Sequence, residues 1–284
     1  MIRRDIAPED VSAHAARIAP AVDELWVVED VPYAGGISQL GVVLAATDDV
    51  AQTSPVTVGH GIAPAPFRNP MALAMEWATL ARVYPGRLAC GIGHGLQTWM
   101  KAIGEGVDSP LTLLEETIVD TRALLQGFDP ASTGRYRSIS GYTLEFPPAE
   151  VPAILAGVVG PKSLRLSGRV ADGTLLPESV GPDQVAQARL AVNEGRAEAG
   201  RTDHHHITVF AGIYCGDLSK LGPPPEGAIQ GGWDVVEEDP KVAAARLQTL
   251  VDAETDSVVL VPFGPDPQGQ LASLLENVVP LLNL

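Results

Sequence analysis

Positive charge is scarce in this 284-residue chain: 19 lysines and arginines stand against 35 aspartates and glutamates, a formal net charge of -16. A phosphate backbone or an anionic lipid surface needs the opposite sign, so neither nucleic acid nor a membrane is expected as the main partner. Cysteine is scarcer still. Cys90 and Cys215 each fall within an apolar run, which predicts two buried thiols in a reducing cytoplasm rather than a disulfide. Long hydrophobic runs are missing too. The longest uncharged stretch, Val50 to Phe67, carries Pro55, His60, Pro64, Pro66 and several hydroxyls, so it is no transmembrane span. Residues 1–10 hold two arginines but no apolar segment, so a secretory signal is not expected. H-E-x-x-H and C-x-x-C motifs are absent as well. The run His204-His205-His206 cannot turn all three rings to one ion within a strand, and it reads as a solvated turn. No metal is expected.

What the chain does have is 45% hydrophobic residues, arranged as short apolar runs alternating with helical patterns. Residues 24–28, 55–59, 87–92, 152–156, 173–176, 207–214 and 257–261 are near-continuously apolar, as a parallel sheet covered on both faces requires. Residues 2–5 offer a possible eighth strand, short because Ala7-Pro8-Glu9-Asp10 already reads as a helix start. Asn69-Pro70 and Ser109-Pro110 place a capping residue before a first-turn proline. Leu271, Leu274, Leu275, Val278 and Leu282 give the last helix a 3.6-residue period. Eight such units in one chain of this length predict a single (β/α)8 TIM barrel over residues 1–284, with a doubly wound open sheet as the competing topology. Two segments exceed a minimal barrel. Residues 134–146 look like a hairpin excursion. Residues 216–240 hold nine glycines and prolines and an exposed-looking Trp233, and form a candidate lid loop.

In a barrel of this kind chemistry gathers where strands end. Those positions bring Glu29-Asp30, Gly59-His60-Gly61, Gly91-Ile92-Gly93-His94-Gly95, Gly157 to Ser163 and Pro177-Glu178 to one rim, a composition suited to a large ligand lying close to the backbone. Gly157 to Ser163 leads a glycine-containing turn directly into a helix, so free backbone N–H groups and the positive helix end converge, with Lys162 and Ser163 adding side-chain donors. The glycines equally suit a tight strand-to-helix turn, and the Walker spacing is absent. Gly91 to Gly95 fails the dinucleotide G-x-G-x-x-G pattern because position 96 is leucine. His94 fits a ligand-binding or proton-donating role, or a structural hydrogen bond, and His60 sits similarly one strand over.

The blocks Leu25 to Asp30, Phe67 to Pro70, Tyr84 to Leu88, Gly91 to Gly95 and Gly160 to Gly173, in this order and spacing, resemble the bacterial luciferase-like superfamily. More narrowly, they resemble its deazaflavin-dependent branch, which includes methylenetetrahydromethanopterin reductase and the deazaflavin-dependent glucose-6-phosphate dehydrogenase. The resemblance implies a barrel, commonly a homodimer, that binds coenzyme F420 or, in sister groups, FMN. It implies a non-prolyl cis peptide at Gly61-Ile62, in a bulge that backs the ring. It implies a cofactor phosphate on the turn of Gly157, Gly160, Lys162 and Ser163. It places Asp30 near the ring, and Gly93, His94 and Trp99 along the cofactor. Two departures stand out. The sugar-phosphate dehydrogenases carry histidine where this chain has Val31 and an acidic residue where it has Leu96, so their catalytic roles do not transfer.

The expectation is therefore an F420-dependent oxidoreductase moving a hydride between the deazaflavin and a small-molecule substrate, with protons handled by Asp30, His60, His94 or Glu178, chiefly His94 or Asp30. Two alternatives remain: an FMN-dependent luciferase-like monooxygenase and a non-catalytic cofactor-binding barrel.

Overall fold

The computed structural model describes residues 1–222 and 232–283. Eight strands, β1 (Glu24–Val27), β2 (Thr57–Pro64), β3 (Leu88–Gly93), β4 (Ala153–Gly157), β5 (Gly173–Leu176), β6 (His206–Cys215), β7 (Val235–Glu237) and β8 (Ser257–Pro262), form one sheet in which every pairing is parallel. Helices cover its outer face. Those that matter for the site are α2 (Gly36–Ala46), α4 (Pro70–Val83), α5 (Gln97–Ala102), α6 (Pro110–Leu125) and α7 (Pro161–Val170), the second, fourth, fifth, sixth and seventh α-helices of the chain. The fold is the (β/α)8 barrel.

Closure of the ring is unusual in its economy. Ile2 makes a single parallel bridge to Val27, its N–H donating to the Trp26 carbonyl at 2.8 Å, while the Met1 amino group reaches the Leu260 carbonyl at 3.0 Å. Arg3 Nη1 adds a bond to the Pro262 carbonyl at 2.8 Å. The expected strand at residues 2–5 is thus reduced to one bridging residue set between β1 and β8. β6 is long enough to serve two neighbours, pairing β8 through Thr208–Ile213 and β7 through Ile213–Cys215. The three residues of β7 lie inside the segment read as a lid, and residues 223–231 of that segment fall outside the described residues. Trp233 is half-buried rather than exposed. Its backbone bridges Ser179, and its ring covers Gly181, where a Cβ would come within 2.7 Å of Cδ1.

Residues 134–146 contain no strand. A nested turn brings Ser132 N to Ile139 O and Gly134 N to Arg137 O, both at 2.8 Å. The Glu116 carboxylate on α6 holds its tip by accepting from the N–H groups of Arg135, Tyr136 and Arg137. Asn69 caps α4 as expected, accepting from Met71 N at 2.9 Å. Ser109 does not cap α6. Its hydroxyl pairs with Thr112 Oγ1 at 2.8 Å instead.

The main core lies between sheet and helices, and a second, smaller one fills the barrel with Trp26, Leu155, Leu175, Phe210, Val259 and Val261. Trp26 and Phe210 meet edge to face at 5.7 Å, the arrangement aromatic quadrupoles prefer. Gly59 and Gly61 make room for that indole: a Cβ on Gly59 would lie 2.3 Å from Trp26 Cε3. Both cysteines are buried and free.

Candidate active site

Alternation along β2 decides which rim residues face the barrel. Gly59 and Gly61 point inward at Trp26, so His60 between them points outward. It is fully buried, stacked edge to face on Trp77 of α4 at 6.0 Å, with Nε2 3.7 Å from Glu29 Oε2 and neither ring nitrogen hydrogen-bonded. Burial lowers its pKa to about 4. His60 therefore sits behind the sheet, away from the mouth, and the expectation that its side chain would contact a ligand on the rim is corrected.

Glu29 also turns outward. Its carboxylate receives both guanidinium nitrogens of Arg68, at 2.5 and 2.6 Å, and the Gly36 N–H at 3.1 Å. This bidentate pair ties the end of β1 to the segment after β2 and to the start of α2. Sequence reading missed it, since no spacing rule joins residues 39 positions apart.

Directly after the outward histidine the chain bulges. The Gly61-Ile62 peptide is cis, and the β2–β3 register shifts between His60 and Ala63. Ile62 then drops its side chain into the barrel mouth over Gly91, Gly93 and Gly157. A Cβ on Gly157 would lie 2.5 Å from Ile62 Cγ2, and one on Gly93 2.9 Å from Ile62 Cδ1. At Gly157 and Gly93 the isoleucine takes space a side chain would need, and at Gly91 the His60 carbonyl, 2.3 Å from where a Cβ would sit, excludes one before Ile62 does. The result is a floor of hydrocarbon and bare backbone at the C-terminal ends of three strands.

On one side of that floor stand His94 and Ser163. His94 Nδ1 lies 3.2 Å from the Pro110 carbonyl and Nε2 lies 3.0 Å from Ser163 Oγ. A carbonyl only accepts, so Nδ1 carries the proton and Nε2 accepts from the serine hydroxyl. Burial lowers the His94 pKa and favours this neutral form. Both ring nitrogens are thus engaged within the protein. The arrangement does not present His94 as a free proton donor; it presents a histidine that orients Ser163.

Ser163 belongs to the first turn of α7, whose N-cap is Gly160 with no side-chain capping bond. The leading N–H groups of that ten-residue helix consequently point outward without a side-chain partner, where the helix dipole favours an anion. A Cβ on Gly160 would meet nothing within 4 Å, and Lys162 is exposed with no ion pair among the described residues. The turn is open at Gly160 and basic at its edge. Trp99, half-buried on α5, follows the Gly93–His94 corner.

Across the mouth lies an acidic group. Asp30 pairs with Arg4 Nη1 at 2.8 Å and keeps about a third of its side chain exposed (30%). Glu178 follows β5 directly. It reaches solvent, yet surrounding protein mass, followed by the nearby Asp30 and Asp234 carboxylates, pushes its pKa up. Ser179 beside it adopts φ 71°, uncommon for a residue with a Cβ. Arg4 and Asp234 were not anticipated, because they reach this point only through tertiary packing.

These features define an α/β barrel with a glycine-bedded, hydrocarbon-floored mouth flanked by the open N-terminus of α7. The chain belongs to the luciferase-like monooxygenase family, whose model matches residues 21–220. It is 29% identical over 221 residues to a 5,10-methylenetetrahydromethanopterin reductase of Methanolobus tindarius, covering 77% of this chain and 64% of that one. It is 31% identical over 157 residues to an F420-dependent glucose-6-phosphate dehydrogenase of Microbacterium testaceum, covering 54% and 47% respectively. The chain thus spans between about half and two thirds of the length of these curated relatives. Among solved structures, an F420-dependent secondary alcohol dehydrogenase in complex with an F420-acetone adduct superposes with a TM-score of 0.81 at 18% identity, covering 98% of this chain and 96% of that one. The F420-dependent tetrahydromethanopterin reductase from Methanopyrus kandleri gives 0.78 at 18%, covering 99% and 97%. At such identities these likenesses establish the fold.

Proposed function

We propose that this protein is a coenzyme F420-dependent oxidoreductase acting on a small organic molecule. The observation that carries the reading is the pairing of the Ile62 floor over Gly91, Gly93 and Gly157 with the open, uncapped N-terminus of α7. One takes a flat ring and the other takes a phosphate. The likeness to an F420-dependent glucose-6-phosphate dehydrogenase supports the deazaflavin over FMN. Gly157, Gly160, Lys162 and Ser163 would hold the anionic part, with His94 fixing the serine. Gly61, Ile62 and Gly93 would back the ring, and Trp99 would line its edge.

When bound, the deazaflavin supplies a hydride acceptor or donor. The chain's own part is to hold the ring and substrate face to face over a dry floor and to manage protons at the open side. Glu178 is the group best fitted to that last task. Its raised pKa brings its protonated form nearer neutral pH than an ordinary carboxyl, whereas Asp30 is committed to Arg4 and His94 to Ser163 and Pro110.

Residues 1–284 are read as one such domain. Its two buried free thiols suit a reducing cytoplasm. No helix among the described residues is long and apolar enough to cross a membrane. The apolar groove between α4 and residues 138–146, with Met75, Val83, Tyr142 and Phe146 exposed, suits a homodimer.

Fluorescence titration of F420 and FMN side by side tests the reading. Tighter deazaflavin binding is expected, weakened about tenfold or more by Gly160→Val, which fills the anion turn, and several-fold by Lys162→Ala. Preference for FMN, or no binding of either at micromolar concentration, overturns it.

A further inference from the structure

At the end of the barrel opposite the mouth, two of the three consecutive histidines meet an aspartate. β6 starts at His206, and strand alternation turns His205 away from the barrel axis toward α7, where its Nε2 lies 2.9 Å from the hydroxyl of Thr174, itself bonded to Ser167 of that helix. His204 and His206, two positions apart, fall on the opposite side, the one that Phe210 takes farther along the strand, with ring centroids 4.6 Å apart at the open lower end of the barrel. Asp256, immediately before β8, stands between them. Its Oδ1 is 2.5 Å from His204 Nε2 and 4.0 Å from His206 Nδ1. The three ligand atoms all lie within 4.8 Å of one another.

We propose that His204, His206 and Asp256 form a binding site for a borderline divalent ion of the Zn²⁺ class, clipping the start of β6 to the start of β8. The donor set is two imidazoles and one carboxylate, the nitrogen-and-oxygen combination that Zn²⁺ accepts with a water in the fourth position. Tetrahedral bonds of ~2.0–2.1 Å set ligand atoms about 3.4 Å apart, between the two separations seen here. Small rotations of two exposed imidazoles close the difference. The histidines are 62% and 56% exposed at the side chain, so nothing obstructs that movement or the entry of the ion.

The carboxylate is already oriented for the task. Asp256 Oδ2 accepts the Ile207 N–H at 2.7 Å, and the Asp256 N–H returns a bond to the Ile207 carbonyl at 2.9 Å. Its second oxygen is fixed by the backbone of the very strand that carries the histidines, and Oδ1 is left facing them. Such an outer-shell bond is how proteins aim carboxylate ligands at metals. The sequence argument against three histidines on one ion stands. It does not exclude two of them joined by a residue 50 positions away.

The site lies at the N-terminal face of the strands, where barrel residues serve stability, and it is open to water on one side. A stabilising clip is the role that fits, not a part in the redox chemistry.

The test uses full-length protein freed of metal by a chelator and titrated with Zn²⁺ and, as a spectroscopic probe, Co²⁺. One equivalent per chain is expected at micromolar affinity, with a visible Co²⁺ band. Zn²⁺ at a hundredfold excess over Kd should raise Tm by a few degrees. His204→Ala and His206→Ala, both at exposed positions, should each weaken binding at least tenfold and abolish the Tm shift. Their circular dichroism should match the parent. Asp256→Asn, which keeps an oxygen for the Ile207 N–H, should weaken binding without unfolding the chain. Absence of stoichiometric binding at 100 µM Zn²⁺ (~100 times a micromolar Kd, where the site should be saturated), or binding unchanged in both histidine variants, overturns the proposal. F420 affinity is unaffected in either case, so this outcome is separate from that of the proposed function.

Discussion

The Ser163 hydroxyl donates to Nε2 of a neutral His94, 69 positions away in sequence. That bond ties the first turn of α7 to the corner after β3, and it fixes which way the serine proton points. While His94 is neutral, Ser163 gives its hydrogen to the ring and not to a ligand. A protonated His94 would donate through both nitrogens and leave the serine hydrogen free for an anion.

Anion binding at the α7 turn should therefore tighten as pH falls. The His94 pKa is lowered by burial, so the change should develop below the ordinary histidine range near 6.5. Titration of the cofactor from pH 8 to 5 checks this. His94→Ala should remove the slope, and Ser163→Ala should reduce it while leaving binding at pH 7, where the serine hydrogen is held by the ring, nearly unchanged. A flat profile in the parent protein counts against the coupling.

Acid should also destabilise the fold through His60. Its folded pKa of about 4 lies below the unfolded value near 6.5, so the unfolded chain binds the extra proton first. The stability it contributes is fully present above pH 6.5 and lost as pH falls toward 4, reaching about 3 kcal/mol if no other group intervenes. His60→Leu should flatten that part of the curve while leaving stability at pH 7 within about 1 kcal/mol. Urea unfolding at several pH values makes the comparison.

Breaking the Glu29–Arg68 pair should cost stability directly. Arg68→Ala leaves a buried carboxylate unpaired, which costs ~3–5 kcal/mol where both partners are fully buried. Arg68 keeps 23% exposure, so about 2–3 kcal/mol is expected. Arg68→Lys should recover only part, since one ammonium cannot make two parallel bonds. Chemical denaturation of the three proteins measures the difference.

Gly157→Ala probes the floor of the mouth. The new methyl would sit 2.5 Å from Ile62 Cγ2, so the isoleucine must move. A loss of about 1–3 kcal/mol in stability and about tenfold in cofactor affinity is expected. Adding Ile62→Ala should restore much of both. If the double variant is no better than the single one, the two side chains do not share that space.

Much of this fold shows in the linear pattern, because parallel strands buried on both faces are nearly all apolar. Seven of the eight strands stand out that way. β7 does not: Val235–Glu237 is three residues long, follows a glycine- and proline-rich segment, and pairs only with the upper end of β6. The first-strand position was legible as a doubt, and the structure resolves it into a single bridge at Ile2. Within the site, the anion turn could be read from glycines preceding a helix. The face of His60 could not, because near-uniform apolarity along β2 conceals which residues alternate inward. His94 was legible as a rim residue, but the occupancy of both its nitrogens depends on Pro110 and Ser163 arriving from other units.

The isoleucine resting on three glycines has a consequence for how such a barrel can change. The depth of the cup is set by one aliphatic side chain that takes no part in any polar network. A valine there would deepen it by about one methyl, and a phenylalanine would raise it until the glycines no longer suffice. Ligand height can thus be retuned at a single codon while the anion turn, the acidic rim and the ion pair behind the sheet stay as they are. A scaffold with that property can be refitted to differently shaped ligands without being rebuilt.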